Sequence, residues 1–191
     1  MNISKTDYSQ SFGKQALMTC TVRENAGNKP KNATLYKLDP DNKSDRMDVN
    51  YSKYAYNIAR DFNNAHKELY PKKEFFMLQN DETGEVISCA ETSHRYRPVE
   101  FSHPGQYTLI EEAQENKKYN NGIEPLFAYV TKKASDKCDE NIFTAFNEDS
   151  LPGIEKSEFL KTEQGAYFVP EERFHPVLMQ AEKKYNIEYL A

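Results

Sequence analysis

A β-hairpin at residues 75–90 constrains the fold more than any other feature of this sequence. The apolar run at residues 75–78 leads into a polar turn that ends at Gly84, and a second apolar run begins at Val86. Gly84 suits the left-handed backbone position that such turns often require. Because a tight hairpin joins antiparallel strands, a sheet built around this unit cannot be wholly parallel.

An amphipathic helix precedes the hairpin. Apolar side chains recur at spacings of three and four residues from Tyr51 to Leu69, a pattern that predicts one helix of about five turns. Asp48 or Asn50 can cap the start of this helix, and Pro71 ends it.

Strands and helices alternate along the rest of the chain. Strands are predicted at residues 33–39, 107–113, 142–146, 165–169 and 187–190, and helices at residues 123–134, 150–160 and 177–184, the last opening on Pro176. Residues 94–105, interrupted by prolines, are predicted to form a loop. Helices between strands cover both faces of a sheet. The predicted fold class is therefore α/β (α+β), with a mixed central sheet flanked by helices on both faces.

The first part of the chain differs from the remainder in composition. Residues 1–32 are rich in Ser, Asn and Lys and show little periodicity apart from a short run at residues 16–22. We expect a polar N-terminal arm that is partly ordered and contributes one strand at most. Residues 33–191 have a suitable length for a single domain.

Composition and charge exclude several classes of protein. Leu, Ile, Val and Phe supply only 37 of 191 residues, but 13 Tyr and 11 Phe provide large aromatic area for a core. The 25 basic and 30 acidic residues give a net charge of −5, which argues against a dedicated nucleic-acid partner. The basic pairs Lys72–Lys73 and Lys117–Lys118 are interpreted as solvated surface.

Membrane, secretion and metal signals are missing from the sequence as well. No run of about 18 apolar residues is present to span a bilayer, and residues 1–7 do not resemble a secretory signal. Cys20, Cys89 and Cys138 are widely spaced, which predicts reduced thiols in a cytoplasmic protein. Cys89 lies in an apolar run and is expected to be buried and inert. The four histidines have no metal-ligand spacing, so no metal is predicted.

Two adjacent acids, Glu111 and Glu112, lie in the predicted strand at residues 107–113 and precede a turn that contains Tyr119 and Gly122. In this arrangement the stretch at residues 107–123 resembles the central strand and acyl-CoA loop of the GCN5-related N-acetyltransferases. Asn147, after the strand at residues 142–146, resembles the Asn that commonly follows the family's next strand. In order of elements the resemblance covers roughly residues 33–170.

The resemblance implies an acetyl-CoA site at the start of the helix after the loop. Backbone N–H groups at a helix N-terminus can hold a diphosphate without basic side chains. Carried over residue by residue, the cofactor-binding positions are Lys118, Asn121, Gly122, Ile123 and Asn147.

The resemblance also implies catalytic and acceptor-binding residues. A carboxylate on the central strand would remove the proton from an attacking amine, and Glu111 and Glu112 are the candidates. Because adjacent strand residues face opposite sides, at most one of them is expected to point into a given cleft. Arg95 and Tyr96 lie where the family shapes its acceptor-substrate cleft and are the predicted substrate-binding residues.

The loop departs from the family's pattern at three positions. Tyr119 stands where Arg or Gln is usual, Glu124 takes a position usually held by a small residue, and Pro125 removes a backbone donor. Asn121 and Glu124 have the spacing of a helix cap with an acid at its third position, which is the alternative interpretation of this loop.

Two functions of different class follow from these residues. One is an acetyl-CoA-dependent N-acyltransferase acting on an amine of a small molecule or protein. The other is a non-catalytic interaction protein on an acetyltransferase-like scaffold that no longer binds acyl-CoA. A fold hosts many functions, so the scaffold does not choose between them.

Overall fold

The computed structural model describes residues 14–27, 29–65, 73–97, 105–136, 141–144, 160–161, 167–169 and 171–190. In chain order its elements are β1 (Gln15–Glu24), β2 (Pro30–Leu38), α1 (Lys43–Tyr51), α2 (Tyr56–Asn64), β3 (Lys73–Asn80), β4 (Val86–Arg97), β5 (Gly105–Glu115), β6 (Tyr119–Asn120), α3 (Glu124–Asp136), β7 (Asn141–Thr144), β8 (Leu160–Lys161), β9 (Tyr167–Val169), α4 (Glu171–Tyr185) and β10 (Glu188–Tyr189).

One mixed sheet organises these elements. Within the described residues it has ten strands in the order β10-β1-β2-β3-β4-β5-β7-β9-β8, with β6 paired to β1 outside this path. The pair β5–β7 is parallel and the other pairs are antiparallel. The prediction of a mixed sheet is therefore confirmed.

Helices cover both faces of the sheet, as predicted. Along β3 the side chains alternate: Phe76 and Leu78 belong to the core beneath α3 and α4, whereas Phe75 and Met77 belong to the core beneath α1 and α2. All four side chains are buried. Since neighbouring strand residues point to opposite faces, this one strand contributes to two cores, each closed by its own pair of helices.

The hairpin that constrained the fold joins β3 to β4. Gly84 has a φ of 70°, and the Asn80 side chain accepts hydrogen bonds from the backbone N–H groups of Glu82 and Thr83. Strand β4 continues to Arg97, through residues that the sequence analysis placed in a loop. That prediction was wrong for residues 94–97, because their partners Gly105–Thr108 of β5 continue the antiparallel ladder.

The helix predicted from Tyr51 to Leu69 is found only as the shorter α2, and a separate helix, α1, precedes it and ends at Tyr51. Asn42, rather than Asp48 or Asn50, caps α1 by accepting from the N–H groups of Ser44 and Asp45. The chain leaves the helix at Ser52 and begins α2 at Tyr56. Consequently Tyr51 is 82% exposed and does not lie on the buried stripe. Pro71 lies outside the described residues.

The predicted polar arm contains a strand of the sheet. Met18, Cys20 and Val22 of β1 are buried, and β1 lies between β2 and β10. The sheet therefore begins at Gln15, earlier than residue 33. The first 13 residues lie outside the described part of the chain.

Several element boundaries toward the C-terminus differ from the prediction or lie beyond the described residues. Helix α4 begins at Glu171 and contains Pro176 in its interior, instead of opening on it. The helix predicted at residues 150–160 falls almost entirely outside the described residues. Among the helices that the structure describes, none is both long and apolar enough to traverse a bilayer.

Candidate active site

A β-bulge in β5 places both predicted catalytic carboxylates on one face of the sheet. Glu91 of β4 pairs with Glu112 and Thr92 pairs with Ile110, so Glu111 is an extra residue in β5. The expectation that Glu111 and Glu112 would face opposite sides was wrong, because the extra residue interrupts the alternation. Glu111 contacts Lys73 on the face covered by α2, and Glu112 lies opposite Glu91 on the same face.

Lys73 is the centre of a charged cluster on this face. Its Nζ lies 2.5 Å from Asp61 Oδ2 and 2.8 Å from Glu111 Oε2, and it also pairs with Glu91. Burial lowers the pKa of Lys73, but hydrogen bonds to the three carboxylates outweigh this and raise the pKa overall. The interpretation of Lys73 as solvated surface was wrong, since its side chain is only 7% exposed.

Glu91 is the most deeply buried acid of the cluster. It is 1% exposed, and its Oε2 atom has no hydrogen-bond partner among the described residues. Burial raises the pKa of Glu91 to about 7, and the nearby charges of Asp61 and Glu111 act in the same direction against the effect of Lys73. Glu91 therefore holds a proton far more readily than an ordinary glutamate.

The two bulge carboxylates have different environments. Glu111 is held by Lys73 and accepts a hydrogen bond from Ser93 Oγ. Glu112 is exposed, and its pKa is raised by partial burial and by the charge of Asp61. Glu112 is thus the carboxylate of the pair that a substrate can reach.

The cluster resembles a cation site that the chain itself fills. Carboxylate oxygens of Asp61, Glu91 and Glu111 lie within 4.8 Å of one another, an arrangement that could hold a metal ion. The Lys73 ammonium already pairs with all three. The positive charge among these acids therefore belongs to the protein.

Strand β5 pairs in parallel with β7, from Tyr107 opposite Asn141 to Ile110 opposite Thr144. The chain directly after Thr144 lies outside the described residues. The parting of these two strands, which forms the slot for the acyl donor in the family that the sequence resembles, therefore stays a prediction.

The N-terminus of α3, predicted to hold a diphosphate, is occupied by groups of the chain itself. Ile123 N–H donates to Glu115 Oε2 at 3.3 Å, and Glu124 N–H donates to the Asn121 carbonyl at 3.2 Å. Pro125 has no N–H. Three successive positions at the start of the helix therefore present no free donor in this arrangement.

Carboxylates also concentrate at this helix start. The Glu124 carboxylate accepts hydrogen bonds from Lys184 Nζ, at 2.7 Å, and from the Tyr185 hydroxyl, both near the end of α4. Burial raises the pKa of Glu115, and the charge of Glu124 adds to this effect. The alternative prediction placed a helix cap at Asn121. In the structure the Glu115 carboxylate instead accepts a hydrogen bond from the backbone N–H of Ile123 at the start of α3.

Gly122 is required for packing against the sheet. A Cβ at this position would lie 2.6 Å from Ile87 Cγ2, and Ser88 Oγ donates to the Gly122 carbonyl at 2.9 Å. The left-handed residue of the turn is Asn121, with a φ of 53°. Gly122 therefore allows the loop to approach β4, whereas the resemblance implied an approach to phosphate.

The remaining loop residues are also engaged within the protein. Lys118 Nζ lies 2.9 Å from Glu85 Oε2 and 3.3 Å from Glu24 Oε1. Tyr119 is buried, and its hydroxyl accepts from Asn80 Nδ2 and donates to Glu85. Thus the loop is fastened to the hairpin and to β1.

The start of α3 fits the diphosphate of an acyl-CoA poorly. The N–H groups of Ile123 and Glu124 donate within the chain, and the carboxyl groups of Glu115 and Glu124 place negative charge there.

Some predicted site residues cannot be located by their side chains. Arg95 and Tyr96 lie in β4, opposite Tyr107 and Gln106, and only their backbone is described. Asn147 lies outside the described residues.

Comparison with known proteins supports the fold. No family model and no curated protein matches the chain. A mutant of the toxin AtaT bound to the C-terminus of the antitoxin AtaR matches at a TM-score of 0.54 and 12% identity, covering 78% of this chain and 98% of that one. A predicted acetyltransferase with acetyl-CoA from Clostridium acetobutylicum matches at 0.48 and 15%, covering 69% and 92%.

A third solved structure, the KacTA–DNA complex, matches at a TM-score of 0.45 and 12% identity, covering 74% of this chain and 88% of that one. The chain has a GNAT-like fold, the fold of the GCN5-related N-acetyltransferases, as the element order predicted.

Proposed function

We propose that this chain is an N-acyltransferase that transfers an acetyl group from the thioester of acetyl-CoA to an amine of a small molecule or protein. The observation that carries the proposal is the bulge in β5, which turns Glu111 and Glu112 to one face of the sheet. The GNAT-like fold supports the same reaction class.

Glu112 is the proposed base. An amine must be neutral to attack a carbonyl, and a carboxylate within reach can take its proton. The raised pKa of Glu112 makes this carboxylate a better proton acceptor than an ordinary glutamate. When bound, the thioester supplies the activated acyl group; the contribution of the chain is to bind the acceptor and remove its proton.

Glu111 is a positioning residue in this proposal. Lys73 and Ser93 both hold its carboxylate, which fixes the backbone around the bulge. Arg95 and Tyr96 remain the proposed contacts to the rest of the acceptor.

The proposal is tested by Glu112→Gln. Thiol release from acetyl-CoA in the presence of a panel of primary amines measures the reaction. Loss of the base should reduce kcat/KM by about 10²–10⁴-fold, with the folded state retained because the side chain is exposed.

Glu82→Gln is the matched control, because Glu82 is an exposed acid in the β3–β4 turn. We expect it to keep wild-type activity. Full activity in Glu112→Gln would contradict the assignment of Glu112.

The start of α3 favours a second function, an interaction protein on the same scaffold. The N–H groups of Ile123 and Glu124 donate within the chain and Pro125 has none, which leaves few donors for the diphosphate. In that case neither acetyl-CoA nor its pantetheine part would bind. A ligand at about 100 times its Kd should stabilise the fold by about 2.7 kcal/mol, so absence of any thermal shift at saturating concentrations of both would favour this function.

A further inference from the structure

We propose that Glu91 is a second proton acceptor in the acyl transfer, and that it takes from Glu112 the first proton that leaves the amine. The inference rests on the proposed acyl transfer and adds a residue to the same site. Glu91 acts only through Glu112 and does not touch the acceptor.

The chemistry of the reaction calls for more than one proton acceptor. Transfer of an acetyl group to a protonated amine removes two protons from the nitrogen: the first when the ammonium group becomes neutral, and the second after the nitrogen–carbon bond has formed. As the carbon–sulfur bond breaks, the sulfur keeps the electron pair and gains one proton. A single carboxylate holds one proton at a time, so Glu112 must pass on the first before it can accept the second.

The register of the sheet brings the two carboxyl groups together. Glu91 and Glu112 lie directly opposite each other in the β4–β5 ladder, and both are on the face covered by α2. In such a pair the Cβ atoms are about 4.5–5.5 Å apart, a separation that two glutamate side chains can close to hydrogen-bond distance. A proton can therefore pass from one carboxyl group to the other without leaving the site.

One oxygen of Glu91 is available to receive this proton. Lys73 Nζ donates to Glu91 Oε1, whereas Oε2 has no hydrogen-bond partner in the part of the chain that the structure describes. The Glu91 side chain is only 1% exposed, so bulk water does not serve this oxygen. Glu112 is exposed and is the neighbour that can meet both the acceptor and Glu91.

The charges around the pair favour one proton held between the two acids. Two ionised carboxylates directly opposite each other repel. Burial raises the pKa of Glu91 to about 7 against the effect of Lys73, and the pKa of Glu112 is raised as well. The other charged groups around the pair are Lys73 of β3, Arg60 and Asp61 of α2, and Glu111 of β5.

The proton transfers then balance as follows. Glu112 takes the first proton from the ammonium group; its O–H bond breaks as a new O–H bond forms at Glu91 Oε2. Glu112 is again a carboxylate when the second proton leaves the nitrogen, and it gives that proton to the sulfur. After the products leave, Glu91 returns its proton to solvent through Glu112.

The experiment measures thiol release from acetyl-CoA with one primary amine across about pH 5–9. Glu91→Gln keeps the size of the side chain and an oxygen for Lys73 but cannot accept a proton. We expect kcat to fall by about 10²-fold, with KM for the amine unchanged. The rise of kcat with pH through about 7 should disappear, a change that a purely structural role would not produce. Glu91→Asp, which keeps a carboxylate, should recover part of kcat.

A second measurement leaves Glu91 in place and needs no substrate. Infrared absorption of protonated carboxyl groups is recorded against pH for the wild type and for Glu112→Gln. Removal of the charge opposite Glu91 should lower the midpoint of the carboxyl group that titrates at about pH 7 by about one pH unit. Glu82→Gln, which removes an exposed acid of the β3–β4 turn, should leave this midpoint unchanged.

Either of two results would overturn the inference and leave the acyl-transfer proposal intact. An unshifted midpoint in Glu112→Gln would show that the two acids do not share a proton. Wild-type kcat and pH profile in Glu91→Gln would show that the proton leaves Glu112 by another route. Absence of acetyl transfer by the wild type to every amine tested would reject the acyl-transfer function itself.

Discussion

The carboxylates around Lys73 show how neighbouring residues of one type acquire different properties. Glu91 is buried, and one of its oxygens has no hydrogen-bond partner in the part of the chain that the structure describes. Glu111 is held by Lys73 and Ser93, and Glu112 is exposed. Burial favours the neutral form of an acid, whereas a nearby cation favours the ionised form. The balance of these effects differs at each position. Glu91 binds a proton readily, Glu111 is fixed by its ion pair, and Glu112 is accessible to solvent.

Glu91 should make the stability of the protein fall between pH 5 and pH 8. Its pKa rises from 4.5 to about 7 on folding, so the folded state binds a proton that the unfolded state has lost. The resulting stabilisation is present at low pH and disappears as the pH rises through 7. Relative to Glu91→Gln, the wild type should lose roughly 3 kcal/mol of unfolding free energy over this range, as measured by urea denaturation.

Glu85→Gln is the control for this prediction. A hydrogen bond from Lys118 lowers the pKa of Glu85 below its ordinary value, against the opposing effect of burial. Glu85 therefore stays ionised throughout this range, and its replacement should change stability equally at pH 5 and pH 8. Parallel pH profiles for wild type and Glu91→Gln would contradict the assignment.

Part of this site is predictable from the sequence. Glu111 and Glu112 follow from the resemblance of residues 107–123, but their common face does not, because a bulge of one residue leaves no mark in the apolar pattern. Lys73 and Glu91 were missed, although each stands two residues from a buried neighbour, Phe75 or Cys89. A charged residue two positions from a buried apolar residue of the same strand lies on the same face, and this spacing is the signal that could have found them.

At the scale of elements, the helix predicted from the apolar spacing before the hairpin differs from the helices that form. The apolar spacing continues across residues 51–69, yet helix α1 ends at Tyr51 with Ser52 as its C-cap. The Ser52 Oγ atom accepts a hydrogen bond from Tyr54 N–H. Side-chain hydrogen bonds of this type compete with helical ones. The two short helices then bury Val49, Ile58 and Phe62 on the same core.

The loop before α3 should not tolerate a side chain at position 122. In Gly122→Ala the new methyl group would overlap Ile87 Cγ2, at 2.6 Å, and the loop or β4 must shift. We expect a loss of about 1–3 kcal/mol in the free energy of unfolding, measured by chemical denaturation.

Gly27→Ala provides the comparison, because its nearest neighbour, Glu24 Cβ, would lie at an ordinary 3.6 Å. Its stability should equal or slightly exceed that of the wild type. If Gly122→Ala were equally stable, the loop would not be packed on β4 as described.

At the scale of the whole molecule, the mixed sheet and its two-sided helical cover follow from the sequence pattern. The place of β1 does not, because residues 15–24 mix polar and apolar side chains and their neighbours are polar. Half of the side chains of β1 are buried because the strand pairs with β2 on one side and with β10 on the other. Such long-range pairing leaves little local signal.

Met18→Ala tests whether β1 belongs to the sheet core. Met18 is fully buried, so its truncation should cost about 2–5 kcal/mol of unfolding free energy, measured by thermal or urea denaturation. Gln15→Ala, at the exposed start of the same strand, should have little effect. Equal stability of both variants would mean that β1 is an appended arm.

The pairing of β1 with β10 also has a consequence for folding during synthesis. Met18 lies opposite Tyr189, so β10, which borders β1 at this point, is synthesised long after β1. Contacts between such distant residues are slow to form because a long loop must close first. Until then β1 presents an open edge, and a nascent chain stalled before α4 would be the species most prone to aggregate.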